Sequence, residues 1–332
     1  MTARRARPPL RVPPAVMRAG ARQLGRRCLD PALPWRVQRT RLAQLTRPFL
    51  LPSGTTVTEQ KLGGVPAEVV TVRASGPVSR PVPGAVPRPA PGPVPRPTVV
   101  HFHGGGYCIG SARTIRGWAA HLSAQAGCRV VLPEYRLAPE HPYPAGLQDA
   151  RAVLAAVEGP VVLSGDSAGG GLALALILSM RDAGKTLPAG CILLSPWLDL
   201  GRDRRADPGL ARRDVLLTPD WLDACAHAYA APEAWADPSV SPLLAAHSGL
   251  PPLLIQAGTS ELLAPDAELL AASASAAGTD VTYTRWPGMW HDFMLQPGLL
   301  AAADNALAQA AWFVRTVSPG RGSSGSGDVR VG

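Results

Sequence analysis

Residues 165–169 read Gly-Asp-Ser-Ala-Gly, a G-x-S-x-G pentapeptide between an apolar run and a stretch rich in Gly, Ala and Leu. A serine on a sharp strand-to-helix turn has its Oγ lifted into the open, and glycines are needed on either flank because a Cβ there would strike the adjoining strand or helix. The chemistry such a serine can do is nucleophilic attack on a carbonyl. The backbone N–H of the next residue, Ala168, points toward the reacting centre, and the positive end of the following helix favours the negative charge that develops there. The motif alone also arises by chance in Gly- and Ser-rich chains; the flanking strand and helix give it weight. A second glycine cluster, His103-Gly104-Gly105-Gly106, closes another apolar run. Three glycines in a row let backbone N–H groups turn inward without side chains in the way, as an oxyanion hole requires. A phosphate-binding loop is the weaker reading, since neither GxGxxG nor GxxxxGK[ST] is present.

A serine nucleophile needs a base and an acid, in the chain order Ser, acid, His for this kind of turn. Of the seven histidines, His291 lies just past an apolar run at 281–286, in a loop near the C-terminus. His101 and His103 precede the serine, while His121, His141, His227 and His247 fall in helix or insertion context, where a histidine is structural. The acid belongs after the preceding run, at 252–257. That loop offers Glu261 and Asp266, with Asp199 a rival on an earlier loop. Pro265 suggests that Asp266 opens a helix, where an acid is ordinary first-turn chemistry. Glu261 is therefore favoured.

These residues must be held by the elements around them. Segments 98–103, 129–135, 160–164, 190–195, 252–257 and 281–286 read as short buried strands, and helical patterns at 112–126, 146–157, 168–183, 264–277 and 299–317 fall between or after them. Such alternation predicts an α/β fold with a mostly parallel sheet and helices on both faces. A hairpin is expected ahead of it, 55–61 with 67–73, turning at Gly63-Gly64. Two amphipathic helices open the chain, one with Met17, Ala21, Leu24 and Cys28 on a stripe, the next with Trp35, Gln38, Leu42 and Leu45, parted by Pro31 and Pro34. The Asp/Arg-rich stretch 202–245 breaks the strand–helix rhythm, with Thr218-Pro219-Asp220 as a helix start before 221–229. Between 77 and 97, nine of 21 residues are proline, which reads as an extended loop that cannot pair in a sheet.

Composition narrows the possibilities. The chain has 332 residues, 46% hydrophobic and 17% charged, enough to bury a core and too uncharged for a disordered chain. Its net charge of +9 is local: residues 1–50 carry twelve Arg and one acid, Asp30, while the remainder is near neutral at −2. Only Lys61 and Lys185 are lysine, so the arginine reads as compositional bias, and no binding motif or aromatic interleaving supports nucleic-acid binding. The longest apolar stretch, 172–178, is too short to span a membrane, and the start does not resemble a signal peptide. Five cysteines without a CxxC pair argue for buried thiols in the cytoplasm rather than disulfides or zinc.

Taken in order, His103–Gly106, Tyr135-Arg136-Leu137-Ala138-Pro139-Glu140, Gly165-Asp166-Ser167-Ala168-Gly169-Gly170, Ser195-Pro196-Trp197-Leu198-Asp199-Leu200, Ser241-Pro242-Leu243 and the block 289–293 resemble the bacterial hormone-sensitive-lipase-like esterases of the α/β-hydrolase superfamily. The likeness is strongest over 98–317. It implies an α/β-hydrolase fold divided as 1–50 cap helices, 51–201 and 246–317 core, 202–245 cap insertion and 318–332 disordered tail. Many members carry Asp where this chain has Glu261, and the proline loop is longer than the family has there. The expected activity is hydrolysis of small carboxylic esters of short to medium acyl chain through Ser167, His291 and Glu261. Gly105, Gly106 and Ala168 would hold the oxyanion, with Gly104 as an alternative donor. No cofactor or metal is implied; a homodimer is allowed, and stable membrane insertion is not expected. Deacetylation or acyl transfer on a specialised metabolite is the alternative, and a non-catalytic binding protein, which would typically lack a triad member, the remote one.

Overall fold

The apolar runs that read as strands pair into one eight-stranded sheet in the computed structural model, which describes residues 11–46, 51–73 and 96–318. The strands are β1 (Thr55–Leu62), β2 (Val65–Val72), β3 (Thr98–Phe102), β4 (Arg129–Pro133), β5 (Val161–Asp166), β6 (Gly190–Leu194), β7 (Leu253–Gly258) and β8 (Val281–Trp286). Their order is β1-β2-β4-β3-β5-β6-β7-β8, with β1, β2 and β4 antiparallel and every other pair parallel. The central strands β3, β5, β6 and β7 are buried at every residue, as strands covered on both faces must be. The hairpin turns at Gly63 and Gly64, both at positive φ (58° and 85°), which a side chain there would resist.

Helices cover both faces: α4 (Ala112–Ala126), α5 (Ala145–Ala155), α6 (Ala168–Asp182), α9 (Ala264–Ala276) and α10 (Ala301–Val317). Their bounds lie within two residues of the periodic segments. Helix α6 is buried continuously from Ala168 to Leu178. That explains the longest apolar stretch: it is apolar all round because it crosses the core. Among the described residues, no helix is long and apolar enough to cross a membrane.

Two strand C-terminal ends shift by two residues from expectation. The strand expected to end at 164 continues through Asp166, because Gly165 and Asp166 still pair with Leu193 and Leu194. The serine turn is correspondingly abrupt. The strand at 129–135 ends at Pro133, leaving Tyr135 free to donate its hydroxyl to the carbonyl of His103 at 2.6 Å.

The N-terminal segment forms α1 (Pro14–Gly20), a π-helical turn (Ala21–Gly25), α2 (Arg26–Cys28) and α3 (Trp35–Thr46). The periodicity reads its first half as one helix; the π turn widens it at Gly25, where a Cβ would collide with the Leu216 side chain. The 202–245 stretch holds α7 (Pro208–Arg213) and α8 (Pro219–Tyr229), the latter capped by Thr218 Oγ1, which accepts from Trp221 N. Most of the proline loop, the first ten residues and the 319–332 tail lie outside the described residues.

Candidate active site

Every candidate residue sits at the C-terminal edge of the parallel strands, where an open α/β sheet leaves its crevice. Ser167 is the single residue between β5 and α6. Its backbone is held at φ 52°, ψ −122°, a conformation that L-residues rarely adopt. Two close approaches hold it there: a Cβ on Gly165 would overlap the backbone of Gly169, and one on Gly169 would overlap the carbonyl of Phe102. The glycines of the pentapeptide therefore let β5, α6 and β3 meet at the turn.

A cavity of about 500 Å³ opens over Ser167. Gly104, Gly105, Asp166, Ser167, His291 and Asp292 form its floor. Its roof is apolar and comes from both suspected cap segments: Met17, Ala21, Leu24 and Cys28 from the first stripe, Leu42 and Leu45 from the second, and Leu216, Leu217 and Trp221 from the insertion. Gly106 is not among the lining residues. It lies beneath α8, where a Cβ would press on Cys225 and Trp221.

His291 and Glu261 come together in the loops after β8 and β7. Nδ1 of His291 is 3.3 Å from Glu261 Oε2, an ion-pair distance without hydrogen-bond alignment. Glu261 is fully buried, and its carboxylate accepts from Ser195 Oγ at 2.8 Å and from Gly258 N at 3.2 Å. Burial pushes the Glu261 carboxyl up, with His291 and Ser195 pulling the other way. Burial also opposes the imidazolium of His291, yet the carboxylates of Asp292 and Glu261 outweigh it and raise His291 well above its usual range. This is the electrostatic setting of an imidazole able to hold a proton in mid-reaction.

The rival acids have other partners. Asp266 is as deeply buried as Glu261, but it takes both Nη atoms of Arg204 (2.7 and 2.9 Å) and the N–H groups of Leu198 and Asp199. It does begin α9, as expected, but it is an internal strut rather than an ordinary first-turn acid. Asp199 Oδ1 accepts from Gly201 N in its own turn.

Other histidines are engaged away from the serine. His101 pairs with Asp166 (2.9 Å) and Ser164 (2.9 Å) behind the serine turn. His103 donates from Nδ1 to the Gly104 carbonyl and stacks on Tyr135. His247 bridges Ser273 and Pro242, and His227 contacts the Asp223 carbonyl.

Three residues at the site carry no individual signal in the sequence. Ser195 (φ 44°) donates to Glu261 and receives Asp292 N at 3.3 Å, so it ties the acid to the histidine loop. Asp214, fully buried, accepts from Leu216 N, Leu217 N and Leu262 N, pinning the insertion beside Glu261. Asp292 sits at φ 55° with Oδ2 3.1 Å from His291 Nε2. Ser195 appears in the sequence only as part of a family-like hexapeptide, since its partners are 66 and 97 residues away.

The sequence profile of the α/β-hydrolase fold matches residues 99–295, which span the glycine cluster, the serine turn, both acids and His291. The chain belongs to this family, in its bacterial hormone-sensitive-lipase branch. An acetyl-hydrolase of Streptomyces hygroscopicus is 38% identical over 227 residues, covering 67% of this chain and 76% of that protein. The esterase LipU of Mycobacterium tuberculosis is 33% identical over 280 residues, covering 80% and 89%. Among solved structures, an esterase of the bacterial hormone-sensitive lipase family superposes with TM-score 0.79 at 31% identity, over 92% of this chain and 99% of that one. Membership makes this chain a carboxylic ester hydrolase acting on small-molecule esters.

Proposed function

We propose that this hydrolase cleaves carboxylic esters of short to medium acyl chain through a Ser167–His291–Glu261 triad and an acyl-enzyme. Ser167 Oγ attacks the ester carbonyl as His291 Nε2 takes its proton; the C–O bond breaks, and His291 returns the proton to the leaving alkoxide. Water, deprotonated by His291, then releases the acid. Glu261 orients the imidazole and offsets its charge. Backbone N–H groups of the Gly104–Gly106 turn and of Ala168 receive the oxyanion. The reading rests above all on one observation: Ser167 and His291 open on one cavity while Glu261, sealed behind it, faces the far ring nitrogen.

The apolar roof favours an acyl group over a polar one. The free, buried cysteines suit a cytoplasmic protein, and a homodimer stays part of the reading. Deacetylation of a metabolite is the second reading, favoured by the acetyl-hydrolase among the relatives. Rates on p-nitrophenyl esters from acetate to long chains, compared with acetylated amines and alcohols, separate the two. Ser167→Ala should lower every rate by about a thousandfold or more with the fold intact; residual activity within tenfold of wild type would assign the nucleophile elsewhere.

A further inference from the structure

The residue after the proposed base carries a charge that the proposed chemistry does not use. The left-handed backbone of Asp292 turns its carboxylate back on its neighbour, so that Oδ2 lies 3.1 Å from His291 Nε2. Glu261 faces Nδ1, so Nε2 is the nitrogen through which His291 must serve Ser167. The other carboxylate oxygen, Oδ1, is buried and has no partner. Asp292 is thus held by its backbone and by one ring nitrogen, on the floor of the cavity.

The groups facing this pair are mostly acidic. Asp166 approaches from the end of β5, its carboxylate engaged by His101; Glu261 comes from the loop after β7, and Asp214 from the insertion. From the N-terminal helices, Arg18 and Arg26 reach toward this region, but their guanidinium groups are bonded to the carbonyls of Gly288, Arg213 and Asp214. An imidazole bracketed by two carboxylates holds its proton tightly, and an imidazolium is not a base.

We infer that Asp292 restrains the base: its carboxylate competes with Ser167 for His291 Nε2 and keeps the imidazole protonated until the pH rises or substrate displaces it. Asp292 is then a positioning residue, acting on the reaction through His291. Burial works against the charged form and lifts the Asp292 carboxyl to about 7, with His291 opposing and Asp166 and Glu261 adding to the rise, so the restraint acts above that value, where Asp292 is ionised.

The inference rests on the triad reading, and the two can fail separately. The test is the pH dependence of kcat/KM for p-nitrophenyl butyrate, followed at the isosbestic wavelength, in wild type, Asp292→Asn and Asp292→Gly. Asparagine and glycine both suit a left-handed backbone, so neither variant forces the loop to move. Both should shift the ascending limb down by about one pH unit, which is about tenfold higher kcat/KM on the acid side. Labelling of Ser167 by diethyl p-nitrophenyl phosphate, lost in Ser167→Ala, checks the nucleophile independently. If Ser167 labels and both variants keep the wild-type limb, or shift it upward, the restraint is overturned alone. If Ser167 does not label, the triad and the restraint fall together.

Discussion

The two sides of the cavity are built on different principles. The floor is set by backbone: Ser167 at an unfavoured φ, glycines with no room for a Cβ, and loops whose polar groups are bonded across the sheet edge. The roof is set by side chains, nearly all apolar, and only a few polar contacts hold it down. Trp221 Nε1 donates to the buried Gln38, whose amide in turn holds the carbonyls of Asp30 and Leu33. Arg39 reaches the carbonyls of Cys108 and Ala138 and pairs with Glu140. A floor of this kind tolerates almost no substitution, whereas an apolar roof can be reshaped one side chain at a time. On the proposed reading, chemistry and substrate choice are thereby separated within one cavity.

The sharpest test of this division lies in two acids five residues apart. Glu261→Gln should lower kcat by about a hundredfold or more at nearly unchanged stability, because an amide can hold the wrong imidazole tautomer and cannot offset its charge. Asp266→Asn should do the opposite. It strands the buried guanidinium of Arg204, a loss of about 3–5 kcal/mol, while the folded fraction keeps its kcat within a few-fold. Steady-state kinetics beside urea titrations read both, and a reversal would move the acid role to Asp266.

On the roof the expected loss is smaller and of another kind. Removing residues 1–47 should expose the leucines of the insertion, lower solubility and weaken turnover several-fold, since water entering the cavity competes with the oxyanion donors. The sheet should still form, as judged by far-UV circular dichroism. A truncated protein that stays soluble and hydrolyses short esters at the full rate would break the comparison.

A further effect, confined to acid pH, belongs to the floor's own foundation. Burial holds His103 at about 4, with its bond to the Gly104 carbonyl opposing the shift. The folded value lies below the unfolded one, so between about 4 and 6.5 the unfolded chain binds the extra proton and stability falls as pH falls. The drop over that window is up to about 3 kcal/mol. Melting temperatures of wild type and His103→Asn should therefore diverge at neutral pH and converge toward pH 4; parallel curves would leave His103 out of the acid lability.

Much of the floor is legible in the sequence because its constraints are local. The pentapeptide, the triple glycine, the Gly63-Gly64 turn and the Thr218 cap each announce a backbone shape within a few residues. The first apolar stripe likewise names side chains that line the roof, whereas of the second only Leu42 and Leu45 do, Trp35 and Gln38 lying outside the lining. What escapes is whatever depends on distant partners. The contrast between Glu261 and Asp266 is decided by Arg204, some sixty residues upstream. Ser195 and Asp214 gain their roles only when three strand-end loops converge. The π turn at Ala21–Gly25 answers the Leu216 side chain, which nothing in the helical periodicity foretells.

The docking of the first helix also bears on how the chain is made. Val12 N bonds to the carbonyl of Leu299, and Arg18 to those of Gly288 and Arg213. Contacts separated by more than 190 residues are slow to close, and a nascent chain grows by about 5–20 residues per second. The first helix leaves the ribosome long before the residues it rests on, Arg213, Gly288 and Leu299, have been made. An unfinished chain therefore has no roofed cavity to bind an ester, and its apolar stripe must be shielded until the final loops emerge.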